Sequence, residues 1–165
     1  MSLDDTQLYD DLLAILDGTV PLPSATDAGI AWGNALHNYS SDGVIVNPSP
    51  PGISPTGLDA ALPALKSALG SAFSTLPGNP STVASALAGA FATYWAAAIF
   101  AGATPPTIPT GTAALAATLT GIFAYVGGTH ASKATELRNA LATFTRLVTA
   151  VFPGPTPPSG TFFVE

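Results

Sequence analysis

Apolar residues recur along this chain at steps of three and four, in six stretches separated by glycine and proline. Such spacing places side chains on one face of a helix. Leu8, Leu12, Ile15 and Leu16 form the first stripe. Ser2 is placed to cap this helix, Asp4 and Asp5 suit its first turn, and Gly18 ends it. A second helix starts near Ser24, with Asp27 at the capping-box offset, and carries Trp32, Leu36 and Tyr39 on one face. Val44-Ile45-Val46 reads as extended. Thr56 and Asp59 predict a capping box before Leu58, Leu62, Leu65, Leu69 and Phe73, with Pro63 either kinking that helix or marking its true start. After Pro77-Gly78-Asn79-Pro80, Ser81 is placed to cap a helix with Leu87, Phe91, Tyr94, Trp95 and Ile99 facing inward. A fifth helix carries Leu115, Leu119, Ile122, Phe123 and Val126 and stops at Gly127-Gly128. The sixth carries Leu137, Leu141, Phe144, Val148 and Val151, a heptad-like stripe.

These six stretches fall into three similar units, 1–51, 55–106 and 109–158, each ending in a double proline: Pro50-Pro51, Pro105-Pro106 and Pro157-Pro158. Aligned on that mark, Ala35-Leu36…Tyr39 matches Ala90-Phe91…Tyr94, and Ala140-Leu141-Ala142-Thr143-Phe144 stands in the same place. The linkers also agree, with Pro-Thr-Gly at 55–57 and again at 109–111. A fixed period of this size is the mark of a repeated supersecondary unit. One helical hairpin cannot bury its apolar stripe alone, whereas about three stacked hairpins share a core. The expected fold is therefore all-α and a single domain over 1–165: three tandem hairpins, as a closed six-helix bundle or a short helical-repeat stack. Pro-rich extended connectors cross one end, and residues 159–165 form an extended apolar tail.

Charge changes this picture. Charged residues make up 8% of the 165, against a usual share of about 25%, and no charged side chain lies between Lys66 and Lys133. The predicted helices at 81–103 and 110–126 lack charge on every face, so their outer surfaces offer only Ala, Thr, Ser and Gly. A free monomer ordinarily uses surface charge for solubility, so much of this surface is expected to meet other subunits. Ala84–Ala103 is long enough to cross a bilayer, but half of it is alanine and its ends lack Lys or Arg, so a buried or interface helix is preferred to a membrane hairpin. Residues 1–51 hold seven aspartates and no basic residue, while unit three sets Lys133, Arg138 and Arg146 against Glu136. That polarity suggests head-to-tail contact between copies, with Asp4, Asp5, Asp10 and Asp11 facing Arg138 and Arg146 of a neighbour. Phe162, Phe163 and Val164 in the tail suit docking on a neighbour by strand addition or groove insertion.

Little in the chain looks like a reactive centre. The net charge of −6 and four scattered cations argue against a nucleic-acid face. There is no cysteine, hence no disulfide and no thiolate metal site. Asp4-Asp5 and Asp10-Asp11 read as a solvated helix face, and His37 and His130 as isolated surface positions, so no metal, cofactor or catalytic set is expected and the chain is read as a non-enzyme. Gly29-Ile30-Ala31-Trp32-Gly33 is a GxxxG match that means close helix packing, and Trp32 and Trp95 read as core. Asn38-Tyr39-Ser40 matches a glycosylation sequon, but the acidic N-terminus does not resemble a secretory signal, and synthesis in the cytoplasm without export is expected.

The Cys-free, acidic, Ala/Gly/Thr/Pro-rich character resembles small structural proteins of tailed-bacteriophage virions and contractile injection systems. The resemblance implies a tail, baseplate or decoration-type component whose partners are copies of itself and other structural proteins of the particle. It transfers no residue roles. The rival readings are a soluble module holding an apolar small molecule or peptide between hairpins, and a membrane-associated hairpin.

Overall fold

The computed structural model describes residues 3–45, 52–76, 78–153 and 160–165. It contains helices α1 (Asp5–Leu16), α2 (Ala25–Ser41), α3 (Leu58–Phe73), α4 (Pro80–Ala96), α5 (Thr112–Ala124) and α6 (His130–Thr145). Three strands accompany them: β1 (Thr104–Pro109), β2 (Val148–Phe152) and β3 (Gly160–Phe163). The fold is thus mostly helical but not all-α, because the strands form an antiparallel sheet of order β1-β2-β3. Each helix packs on the next in sequence and α6 returns to pack on α1, so the six close into a bundle rather than an open stack.

Local chemistry explains where the helices begin. The Asp4 carboxylate accepts from the Thr6 and Gln7 amides at 3.0 Å and caps α1, while the expected cap, Ser2, lies outside the described residues. Ser24 caps α2 through the Asp27 amide, as its position predicts. Asn79, not Ser81, caps α4: with Pro80 at the first helical position, its side chain accepts from the Ser81 amide. Thr129 and Ser132 form a reciprocal capping box on α6. The expected Thr56–Asp59 box is not made. Gly57 stands at the cap of α3 with φ of +85°, and Gly111 at the cap of α5 with φ of +86°. This is the work of the recurring Pro-Thr-Gly. In each copy the threonine hydroxyl donates to a carbonyl just past the second helix of its unit, Thr56 to Ile99 at 3.0 Å and Thr110 to Leu147 at 2.6 Å. The glycine then takes the left-handed turn that starts the first helix. Pro63 lies inside α3, which begins at Leu58 and runs through it.

The core is one cluster at the bundle centre. Leu8, Leu12, Leu36, Leu69, Leu87 and Leu119 are fully buried around Phe91, which contacts Tyr94, Trp95 and Phe144 at ring separations of 5.5–6.5 Å. Trp32 and Trp95 are both core residues, as expected. Two apolar stripes overrun their helices. Ile99 is half exposed and Val126 is 99% exposed, because α4 stops at Ala96 and α5 at Ala124. Val148 and Val151 continue the heptad spacing of α6 but belong to β2. Among the described residues no helix is long and apolar enough to cross a membrane.

The tightest helix approach is between α2 and α3. A methyl group on Gly29 would overlap the Gly70 amide nitrogen and stand 2.6 Å from the Lys66 carbonyl oxygen. One on Gly33 would stand 2.5 Å from the Lys66 Cγ. The GxxxG match therefore does mark backbone-to-backbone packing.

Extended backbone gathers at the bundle end where α2, α4 and α6 finish. Ile45 and Ile53 exchange hydrogen bonds of 2.9 and 3.0 Å, and Thr56 and Ile99 exchange two of 2.8 Å. The chain end joins the same layer: Val164 donates to the Val148 carbonyl, and Val44 and Glu165 exchange bonds of 3.0 and 2.8 Å. Of the three double prolines, Pro105-Pro106 lies in β1, and the other two fall outside the described residues.

Candidate functional site

The charged residues expected at an interface lie, in part, in one place within the chain. Asp5 begins α1 and Arg146 caps the C-terminus of α6, so closing the bundle brings them together. Arg146 Nη2 donates to both Asp5 oxygens at 2.9 Å, and Arg138 Nη1 stands 4.0 Å from Asp5 Oδ2. The Tyr39 hydroxyl, from α2, donates to Asp5 Oδ1 at 2.9 Å. Burial, reinforced by the Asp5 carboxylate, holds the Tyr39 phenol above the usual tyrosine range. For Arg146, partial burial works against the charge, but the hydrogen bond and charge of Asp5 outweigh it and raise its pKa. The acidic first unit and basic third unit thus meet inside one molecule, as a clasp across the α1/α6 seam. Asp4 is occupied as the α1 cap, Asp11 accepts from Gln7 Nε2 at 2.7 Å, and Asp10 stays exposed without a partner among the described residues.

A second polar chain pins α2, α3 and α4. His37 Nδ1 lies 2.6 Å from the Tyr94 hydroxyl, and His37 Nε2 lies 3.1 Å from Asp59 Oδ1. His37 is therefore not the free surface position its sequence context suggests. Its signal was present in the sequence: Gly29, Gly33 and His37 are four residues apart and share the face that meets α3. An Asp–His–Tyr chain invites a catalytic reading, but Tyr94 is only 2% exposed and its phenol is held above the usual range, first by burial. It has neither access to a substrate nor a tendency to ionise, so the arrangement positions helices. Within the sequon, Asn38 is exposed on α2, while Ser40 two residues on is fully buried. His130 begins α6, apart from His37. Among the described residues no group of three or more His, Cys, Asp or Glu side chains is placed to hold a metal.

The C-terminal tail divides by face. Val164 is fully buried in the molecule's own core, and Phe162 packs edge-on against Phe152 at 5.6 Å. Phe163 points the other way and is 53% exposed. The strand addition expected of this tail takes place within the chain, where β3 pairs with β2. The sheet's far edge is β1, where Pro105, Pro106 and Pro109 have no N–H to offer.

What the sheet leaves open is its outer face. Ile108, Thr149 and Phe163 are direct cross-strand partners, so their side chains share one side. Val151 and Thr161 form the next row on that side. Ile108 and Phe163 are exposed, while Thr149 between them is buried and its hydroxyl donates to the Ile108 carbonyl; Ile99 and Leu147, at the same end of the bundle, are exposed as well. None of the three strands carries a charged residue.

Small side chains leave room between helices. A groove of about 360 Å³ between α5 and α6 is lined by Leu115, Ile122, Ala140 and Phe144. At the opposite end of the bundle an open basin of about 760 Å³ is lined by Leu16, Leu22, Trp32, Phe73, Leu76 and Phe123. Comparison with family models, with curated proteins and with solved structures found no match for this chain.

Proposed function

We propose that this chain is a non-enzymatic structural subunit of a larger symmetric protein assembly, of the virion or tail and baseplate type. The observation that carries the reading is the open, uncharged sheet face with Ile108, Phe163 and the neighbouring Ile99 and Leu147 exposed at one end of the bundle. Exposed large apolar side chains grouped at one end of a fold, rather than scattered singly, are characteristic of a protein–protein contact. Two further features support it. α4 and α5 contain no charged residue. His37, Tyr39 and Tyr94 are engaged in contacts between helices. The partners are then copies of the chain and other structural proteins, and its final location is the assembled particle.

Light scattering coupled to gel filtration tests this directly. The parent protein is expected as a defined oligomer, and the pair Ile108→Asp with Phe163→Asp as a folded monomer. A parent that stays monomeric at every concentration, and is absent from particles of its natural source by electron microscopy, would remove the reading.

The basin at the other end supports a second reading, a module for an apolar ligand. Its volume lies in the range of small-molecule sites, and the Trp32–Phe73 ring pair at 5.7 Å forms part of its wall. Native mass spectrometry separates the two: a small bound mass on a monomer favours the module.

A further inference from the structure

The chain has four cationic side chains, and three are engaged within the molecule. Arg138 and Arg146 lie at Asp5. Lys133 Nζ donates to the Ile122 carbonyl at 2.7 Å, stands 3.9 Å from Glu136 and lies over the Tyr125 ring. Lys66 is different. It has no carboxylate partner among the described residues, and none of the remaining positions in the sequence is acidic. Its stem lies across Gly33, and it lines a groove of about 430 Å³ between α2 and α3. The other walls are Thr26, Ile30, Ser67, Ser71 and Ser74, with no acidic residue. Its lining side chains are short, Ile30 and Lys66 apart, so the groove is shallow-walled and open to a neighbour.

The complementary charge is on the same molecule. Among the described residues, the side chains of Asp10, Asp42 and Glu165 make no hydrogen bond or ion pair. Of these, Asp10 stands exposed in the middle of a helix, and shares the outer face of α1 with the exposed Thr6 and Gln7. We infer that the α2/α3 groove is a docking surface for α1 of a second copy, with Asp10 of that copy set against Lys66. The inference rests on the assembly reading above and names one of its contacts. It also relocates the head-to-tail contact that the charge distribution suggests. Arg138 and Arg146 are engaged inside the chain, and Lys66 is the cation left to meet a neighbour. Because α1 and the α2/α3 groove are different surfaces, the contact is heterologous and repeats from copy to copy until a ring closes or a filament grows.

Sedimentation velocity on the full chain tests it, using Lys66→Glu, Asp10→Lys and the two combined. Each single reversal is expected to weaken self-association about tenfold or more, and the combination to restore it to within about threefold of the parent. High salt should weaken the parent's association and not that of Lys66→Met. Lys66→Met keeps an apolar stem over Gly33, and an unchanged circular dichroism spectrum separates loss of the ammonium from loss of fold. If Lys66→Glu associates as well as the parent, or the combined variant is no better than either single one, the inference falls. If the Ile108→Asp, Phe163→Asp protein disassembles while Lys66→Glu does not, the assembly reading stands without this contact. A parent that never associates removes both.

Discussion

Two seams of the bundle are built in opposite ways. At the α2/α3 seam three glycines bring backbones into contact, and His37 of α2 reaches Asp59 of α3 and Tyr94 of α4. At the α1/α6 seam the decisive contacts are charged: one aspartate, two arginines and a tyrosine. The first seam joins helices separated by one connector. The second joins helices from opposite ends of the chain, more than a hundred residues apart. Small side chains permit a close approach but select no partner from a distance. A charged pair with a shared phenol admits one geometry, which suits a contact between helices far apart in sequence. Dense packing therefore gives the first seam its stability, and polar matching gives the second its specificity.

Substitutions can break or sharpen this contrast. The largest effect is expected at the glycine seam. Gly29→Ala places a methyl group where the α3 backbone already lies, and should cost about 3 kcal/mol in denaturant unfolding. Asp5→Ala removes the acceptor shared by Arg146, Arg138 and Tyr39. Those groups are partly exposed, with Arg146 at 46%, so water replaces much of what is lost and about 1–2 kcal/mol is expected in the same measurement. A larger loss for Asp5→Ala than for Gly29→Ala would reverse the assignment of the two seams.

The tyrosines sharpen the contrast through pH. Tyr39 and Tyr94 are both held above the ordinary value of 10.0. Below pH 10 the folded and unfolded chains both keep these protons, so the contribution is whole. Above it the unfolded chain releases protons that the folded chain retains, and stability should fall with rising pH. Tyr39→Phe should flatten that alkaline slope while costing about 1 kcal/mol at neutral pH, read from melting curves across the range. The smallest effect is expected at the connectors: Thr110→Val, which loses its bond to Leu147, should cost about 0.5–1 kcal/mol.

The helices were legible in the sequence because each buries a stripe at helical spacing, and their rough limits follow from glycine, proline and capping residues. The sheet was not. Val148 and Val151 extend the spacing of α6, and nothing local tells a heptad from a strand there. The strand state is set by pairing with β1, some forty residues earlier, and with β3. The recurrence of Pro-Thr-Gly was plain to see, but its purpose needs the position of Ile99 and Leu147 in space. Of the expected interface residues, Asp5, Arg138 and Arg146 were read as meeting across neighbouring copies, whereas the structure brings them together within one chain, which charge counting could not foresee. His37 was set aside as isolated because Asp59 and Tyr94 are distant in sequence.

The prolines of β1 carry a consequence for crowding. A protein at high local density, as the proposed particle component would be, risks having open strand edges recruit one another into fibrils. Here one of the two edge strands, β1, has lost three of its backbone donors to Pro105, Pro106 and Pro109, while β3 at the other edge is paired with β2 along its inner side. At the β1 edge, bare backbone, which recognises any chain at all, is thereby a poor contact compared with side-chain faces, which recognise shape and chemistry.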